Sequence, residues 1–294
     1  MDADDQVCSR RAGWANGMAS DAASRRLYGN KRLSHESKSL MSPSSRIMSF
    51  AEYARIRHAI PYVVDVARGG SRLVLFGVRH TTDPADPIFD QIEAAFLSVS
   101  PALALHEGTP PAVESDREIA IRRHGESGLV RHLAARATIE TASMDIPLAE
   151  EAGLLLDAIA PGDALVFLVV RQLASYNRKT APPDFDAYFG DFFGLIAPAL
   201  GIQIDWPLTE REHLRLLGRP LAAPKVTAFE TDPLGDDLPT QRIARVSNRL
   251  RDEYMLQRLV AALDQHARVF ATVGVSHAVM IEPALAAIGE SARC

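Results

Sequence analysis

Cysteine is nearly absent: the 294 residues include two, Cys8 and Cys294, too few for a four-sulfur metal centre or a disulfide framework. A reducing, cytoplasmic setting is the expectation. Positive charge is not in excess either, and a formal net charge of -5 leaves no basic footprint for a phosphate backbone, so no nucleic-acid partner is expected. Long apolar runs are missing; the longest, residues 164–170, falls far short of the ~20 residues needed to cross a bilayer, so no membrane span is expected. No Gly-rich phosphate loop occurs, and His106-Glu107 is not followed three positions on by His. P-loop, dinucleotide and zincin readings fail accordingly. What is present is 47% hydrophobic and 23% charged residues, the composition of a globular chain with a sizeable core.

Residues 1–47 are rich in Ser, Arg, Ala and Asp, without apolar periodicity, and are expected to form a disordered tail. No apolar stretch of a secretory signal stands near the start. Residues 48–294 are expected to form one α/β domain, because strand-like runs alternate with longer helical patterns, as they do around a largely parallel central sheet flanked by helices. Runs at 61–68 and 72–78 flank Gly69-Gly70, a hairpin signal. Asp86-Pro87 supplies an N-cap and a first-turn proline for a helix through about residue 98. Short strands are expected at 102–105 and 138–144, two helices broken near 125–128 within 113–136, and helices at 147–158 and 161–177. Residues 179–235, dense in Pro, Gly and aromatics, read as a helical cap or insertion with helices at 185–200 and 209–217. A long helix at 240–267, a last strand at 268–273 and a helix from about Met280 close the chain.

Two stretches repeat one pattern. Phe76-Gly77-Val78-Arg79-His80 ends one expected strand and Val273-Gly274-Val275-Ser276-His277 ends another. Chance alone yields about half a Gly-x-x-His match in such a composition, so the shared context carries more weight than the count. In open α/β sheets ligands bind beyond the carboxyl ends of strands, where both histidines fall after a glycine that lets the backbone turn. Glu107 also follows a strand. Two imidazoles and a carboxylate form the ligand set of many hydrolytic metal sites, with a position left for water, so His80, Glu107 and His277 are candidate ligands for a divalent ion such as zinc. Each has a plainer alternative, as a locally hydrogen-bonded histidine or a capping carboxylate. Alternation sends His106 to the opposite face, in a structural role. Arg251 offers a charged fork for an oxyanion or, alternatively, a solvated helix face. Asp145 is either a further crevice residue or a helix cap, and Gly77, Arg79 and Gly274 are secondary candidates.

Taken in order, Gly77-Val78-Arg79-His80-Thr81-Thr82-Asp83-Pro84, Leu105-His106-Glu107-Gly108, Arg251-Asp252-Glu253-Tyr254-Met255 and Val273-Gly274-Val275-Ser276-His277 resemble the motifs of the Tiki/TraB superfamily. That group includes the TraB/PrgY and GumN proteins and the Tiki proteases, and is distantly similar to erythromycin esterases and haem-binding ChaN proteins. The resemblance runs from about residue 50 to residue 288. It implies an α/β fold in which His80, Glu107, Arg251 and His277 line one site, in some members with manganese or cobalt.

The expected activity is hydrolysis of a peptide or ester carbonyl in a small-molecule or peptide substrate: His80, Glu107 and His277 position a divalent metal or its water while Arg251 stabilises the oxyanion, or, without metal, one of the histidines is the general base. The alternative is a non-catalytic protein of the same superfamily that binds haem, metal or a peptide. A serine-hydrolase reading of Gly274-Val275-Ser276-His277-Ala278 fails on residue order, since the only later histidine is the nucleophile's own neighbour.

Overall fold

The computed structural model describes residues 43–108, 112–179, 182–203 and 226–291. A 3-10 turn at Pro43–Arg46 and a short helix α1 (Phe50–Tyr53) lead into β1 (Tyr62–Arg68), β2 (Ser71–Val78), α2 (Ile88–Val99), β3 (Leu103–His106), α3 (Arg117–Arg136), β4 (Glu140–Ser143), α4 (Leu148–Leu155), α5 (Pro161–Asn177) and α6 (Phe185–Leu200). A second 3-10 turn precedes α7 (Pro239–Gln265), β5 (Arg268–Gly274), α8 (Val275–Ile288) and β6 (Glu290–Ser291). The sheet order is β4-β3-β5-β2-β1-β6. Strands β4, β3, β5 and β2 run parallel, while β1 and β6 add an antiparallel edge. The fold is therefore α/β around a largely parallel sheet.

Local chemistry explains most boundaries. Gly69 (φ 57°) and Gly70 (φ 87°) are both left-handed, as a two-residue turn between twisted antiparallel strands requires. At α2 the cap is displaced from its expected place: Pro87 occupies the cap position, and Asp86 Oδ1 accepts a 3.0 Å hydrogen bond from the Ile88 N–H. Helix α8 starts at Val275, directly after β5, and not near Met280. That shift places His277 in its first turn.

Alternation along the parallel strands divides the core. Leu73, Leu75, Leu103, Leu105, Val269 and Ala271 face the second half of α7 and α8, whereas Val74, Phe76, Ala104 and Phe270 face α2 and α3. A third apolar cluster joins α4, α5 and α6 to Ile243 and Ala244 near the start of α7. The helical unit thus begins by Leu148, well before residue 179. The 27 residues of α7 extend about 40 Å, long enough to serve both the sheet and this unit. Arg171 of α5 grips the buried Glu151 of α4 through a bidentate pair at 2.6 and 2.7 Å, and Ser247 of α7 donates to the same carboxylate at 2.5 Å. The fork geometry satisfies a charge that apolar surroundings would otherwise penalise. The helix expected at 209–217 lies outside the described residues.

Most of the expected tail, 1–42, also lies outside them. The last part of that stretch is not a free tail, because Ile47 is buried against the core. Arg249 donates to the carbonyls of Ser44 and Ile47 at 2.6 and 3.0 Å, and the Met48 N–H bonds to the Met280 carbonyl at 2.9 Å. Ile47, with the partly buried Met48 beside it, gives an apolar contact to a segment whose composition is otherwise polar.

Candidate active site at the strand ends

Because β2, β5 and β3 are adjacent and parallel, their carboxyl ends meet. Val78 pairs with Gly274, His106 pairs with Thr272, and the Glu107 N–H continues the ladder to the Thr272 carbonyl at 3.2 Å. The glycines of the repeated motif have different physical reasons. Neither Gly77 nor Gly274 has a positive φ, so sharp turning is not what they supply. A Cβ at Gly274 would stand 2.8 Å from His80 Nε2 and 3.3 Å from Glu107 Oε2, whereas one at Gly77 would stand 2.7 Å from the Ala278 Cβ. Gly274 makes room for the site, and Gly77 makes room for α8.

Glu107 is the centre of the cluster. Its Oε1 accepts a 2.6 Å bond from Arg251 Nη2 and its Oε2 a 2.6 Å bond from the Gly274 N–H. Arg251 is itself clamped by Asp145, with Nε 2.9 Å from Oδ1 and Nη2 2.6 Å from Oδ2. Asp145 also accepts from the Ile146 N–H at 2.9 Å, so it joins the crevice and serves its own loop as well. His80 Nε2 lies 3.7 Å from Glu107 Oε2, and His277 Nε2 lies 3.8 Å from Oε1. Both imidazoles therefore turn the same nitrogen toward one carboxylate.

Behind each ring stands a second acid that the motifs had not singled out. His277 Nδ1 bonds to Asp252 Oδ1 at 2.5 Å, and His80 Nδ1 bonds to Glu126 Oε1. Asp252 follows Arg251 on α7, one step of about 100° around the helix, so the two neighbours reach different partners in one crevice. Glu126 is placed by a break in α3: Gly125 adopts φ 59° and ψ -140°, and a Cβ there would meet the Thr81 carbonyl oxygen at 2.8 Å. Glycine is needed at that point for both reasons. The glycines at 125 and 128 were the available signal, read only as a helix break.

Charge follows geometry. Burial by itself raises the Glu107 carboxyl, but the cations at His80, Arg251 and His277, with the Gly274 N–H, hold it well below the usual carboxylate range. The Glu126 carboxylate, helped by Glu107 and opposed by burial, pushes His80 up to about 9. The side chain of His80 is 49% exposed, so solvent screens that pair. Burial opposes the charged form of His277, and Asp252 and Glu107 outweigh it to raise the ring above its ordinary value.

Arg79 does not join the cluster; it is 72% exposed and pairs with Asp86 at 3.1 Å. His106 projects to the other face, fully buried, with Nδ1 3.2 Å from the Glu107 carbonyl oxygen. Among the described residues no group of three or more His, Cys, Asp or Glu side chains is arranged to hold a metal ion. Both oxygens of Glu107 already face fixed donors, one of them a guanidinium. Comparison with family models, with curated proteins and with solved structures finds no match.

Proposed function

We propose that this crevice hydrolyses a carbonyl compound, an ester or a peptide, by acid–base catalysis on a Tiki/TraB-like scaffold. The observation that carries the reading is the pair of histidine–carboxylate couples, His80–Glu126 and His277–Asp252, both presenting Nε2 to Glu107. Such a couple fixes the ring's tautomer and stabilises the imidazolium that forms when Nε2 takes a proton.

The two couples are not equivalent. The more exposed His80 meets incoming water; when neutral, its Nε2 accepts a proton as the water oxygen adds to the carbonyl carbon, and Glu126 balances the new charge. The buried, protonated His277 donates from Nε2 to the leaving oxygen or nitrogen. Solvent then returns a proton to His277 and removes one from His80. Arg251 has Nε and Nη2 committed to Asp145 and Glu107, so in this reading it holds Glu107 in place, and the imidazolium of His277 faces the developing oxyanion. Glu107 keeps both rings oriented and favours their charged forms.

A panel of chromogenic esters and peptides tests the proposal, assayed with chelator and with added manganese, cobalt or zinc. Turnover that survives the chelator and is lost in both His80→Ala and His277→Ala supports it. Turnover only with added metal overturns the metal-free route, and saturable binding of haem or a peptide without turnover overturns the hydrolase reading.

A further inference from the structure

His106 is the buried titratable group that this chemistry leaves unused. It is 0% exposed, and its Nδ1 lies 3.2 Å from the Glu107 carbonyl oxygen. A carbonyl can only accept, so that contact is a hydrogen bond only if Nδ1 carries the proton. Ser127 Oγ donates to the same carbonyl at 2.8 Å. Two donors, one from β3 and one from α3, thus hold the main chain from which the Glu107 side chain departs.

The rest of the row supports that tautomer. Ser143, His106 and Thr272 are consecutive register partners across β4, β3 and β5, so their side chains share one face. With Nδ1 protonated, Nε2 needs a donor. Ser143 has already committed its hydroxyl proton, to the Gly108 carbonyl at 2.7 Å. Among the described residues, His106 Nε2 and Thr272 Oγ1 are both buried without a hydrogen-bond partner, neighbours by register and complementary as acceptor and donor. Burial, aided by the Arg131 charge, lowers the ring to about 4, in keeping with a neutral imidazole.

We infer that His106 is a positioning residue: a neutral imidazole protonated on Nδ1 that fixes the Glu107 main chain and through it the carboxylate shared by His80 and His277. The inference rests on Glu107 being the centre of the site, as proposed above. Its test is independent of turnover.

Two measurements on the full chain decide it. Nitrogen-detected proton correlation of the His106 ring reports which nitrogen is protonated, and the amide proton of Gly274, 2.6 Å (N to O) from Glu107 Oε2, reports where that carboxylate sits. The expected results are an Nδ1–H tautomer in the unaltered protein and a displaced Gly274 amide resonance in His106→Leu. In His106→Asn, whose amide nitrogen replaces the Nδ1 donor, that resonance stays in place. Where a substrate is known, His106→Leu should lose roughly ten- to a hundredfold in kcat with little change in KM, as misplacement of a catalytic group does, and His106→Asn should recover most of it. An Nε2–H tautomer in the unaltered protein overturns the inference even if His106→Leu fails to fold, as does an unmoved Gly274 amide in a folded His106→Leu. If tautomer and amide behave as expected while no substrate turns over, the positioning role stands and the hydrolase reading falls.

Discussion

Asp252 binds the Nδ1 of His277 at 2.5 Å with its carboxylate fully buried and the imidazole nearly so. One carboxylate oxygen takes the ring, and the other, Oδ2, has no hydrogen-bond partner among the described residues. An acid held this far from water is costly unless an opposing charge accompanies it, so the pair is stable chiefly with His277 protonated. That is the state a proton donor needs.

Asp252→Asn should therefore remove the charge that keeps His277 protonated. Turnover is expected to fall roughly 10²- to 10⁴-fold, measured per folded molecule, while far-ultraviolet circular dichroism stays unchanged. Retained turnover in a folded Asp252→Asn protein would remove His277 from the chemistry.

Glu126→Gln acts on the other couple. Glu126 is the main cause of the raised His80 value, about 9, and His80 works as a base only when neutral, so the rate in the unaltered protein should climb with pH toward 9. Removing the Glu126 charge should move that limb to lower pH and reduce the plateau, since a less basic ring is a weaker base. The stability linkage has the opposite sense: the couple stabilises the fold fully below the ordinary histidine range, and its contribution is lost as pH rises through the raised value. A pH–rate profile whose limb does not move between the two proteins would contradict the assignment.

The motif glycines separate function from packing. Gly274→Ala puts a methyl group 2.8 Å from His80 Nε2 and should abolish turnover with a small change in melting temperature. Gly77→Ala drives a methyl group to 2.7 Å from the Ala278 Cβ, overpacking the contact between β2 and α8, and should cost about 1–3 kcal/mol. Melting curves and turnover measured on both variants check the contrast.

Docking of residues 43–48 predicts a step in stability. A chain beginning at residue 49 loses the buried Ile47 and the bonds from Arg249 to Ser44 and Ile47. Relative to a chain beginning at residue 43 it should be less stable by about 1.5–3 kcal/mol, the worth of one buried large aliphatic side chain. Denaturant midpoints of the two chains measure the difference.

Much of the architecture was legible as pattern. Gly-Gly between two apolar runs is nearly a complete instruction for a hairpin, and Pro161 starting a run with helical spacing led to α5 at Pro161–Asn177, because the chemistry that sets those boundaries is local. The start of α8 was misplaced because Val275, Ser276 and His277 carry no helix signal of their own; packing of Ala278 against Gly77 draws the first turn onto the sheet. The tail boundary was misplaced for a related reason, since Ile47 acquires its weight only from the core it meets.

For the site, the sequence by itself determined which residues stand just beyond strand ends: His80, Glu107, Asp145 and His277 follow their strands by chain connectivity, and parallel strands carry such residues to one edge. It could not determine what stands behind each imidazole. Glu126 and His80 are 46 residues apart and Asp252 and His277 are 25 apart; no local propensity records either pairing. Only the tertiary structure decided them, through the break at Gly125 and the passage of α7 across the crevice, because the pairing of a ring with an acid depends on where two packed helices come to rest against the sheet.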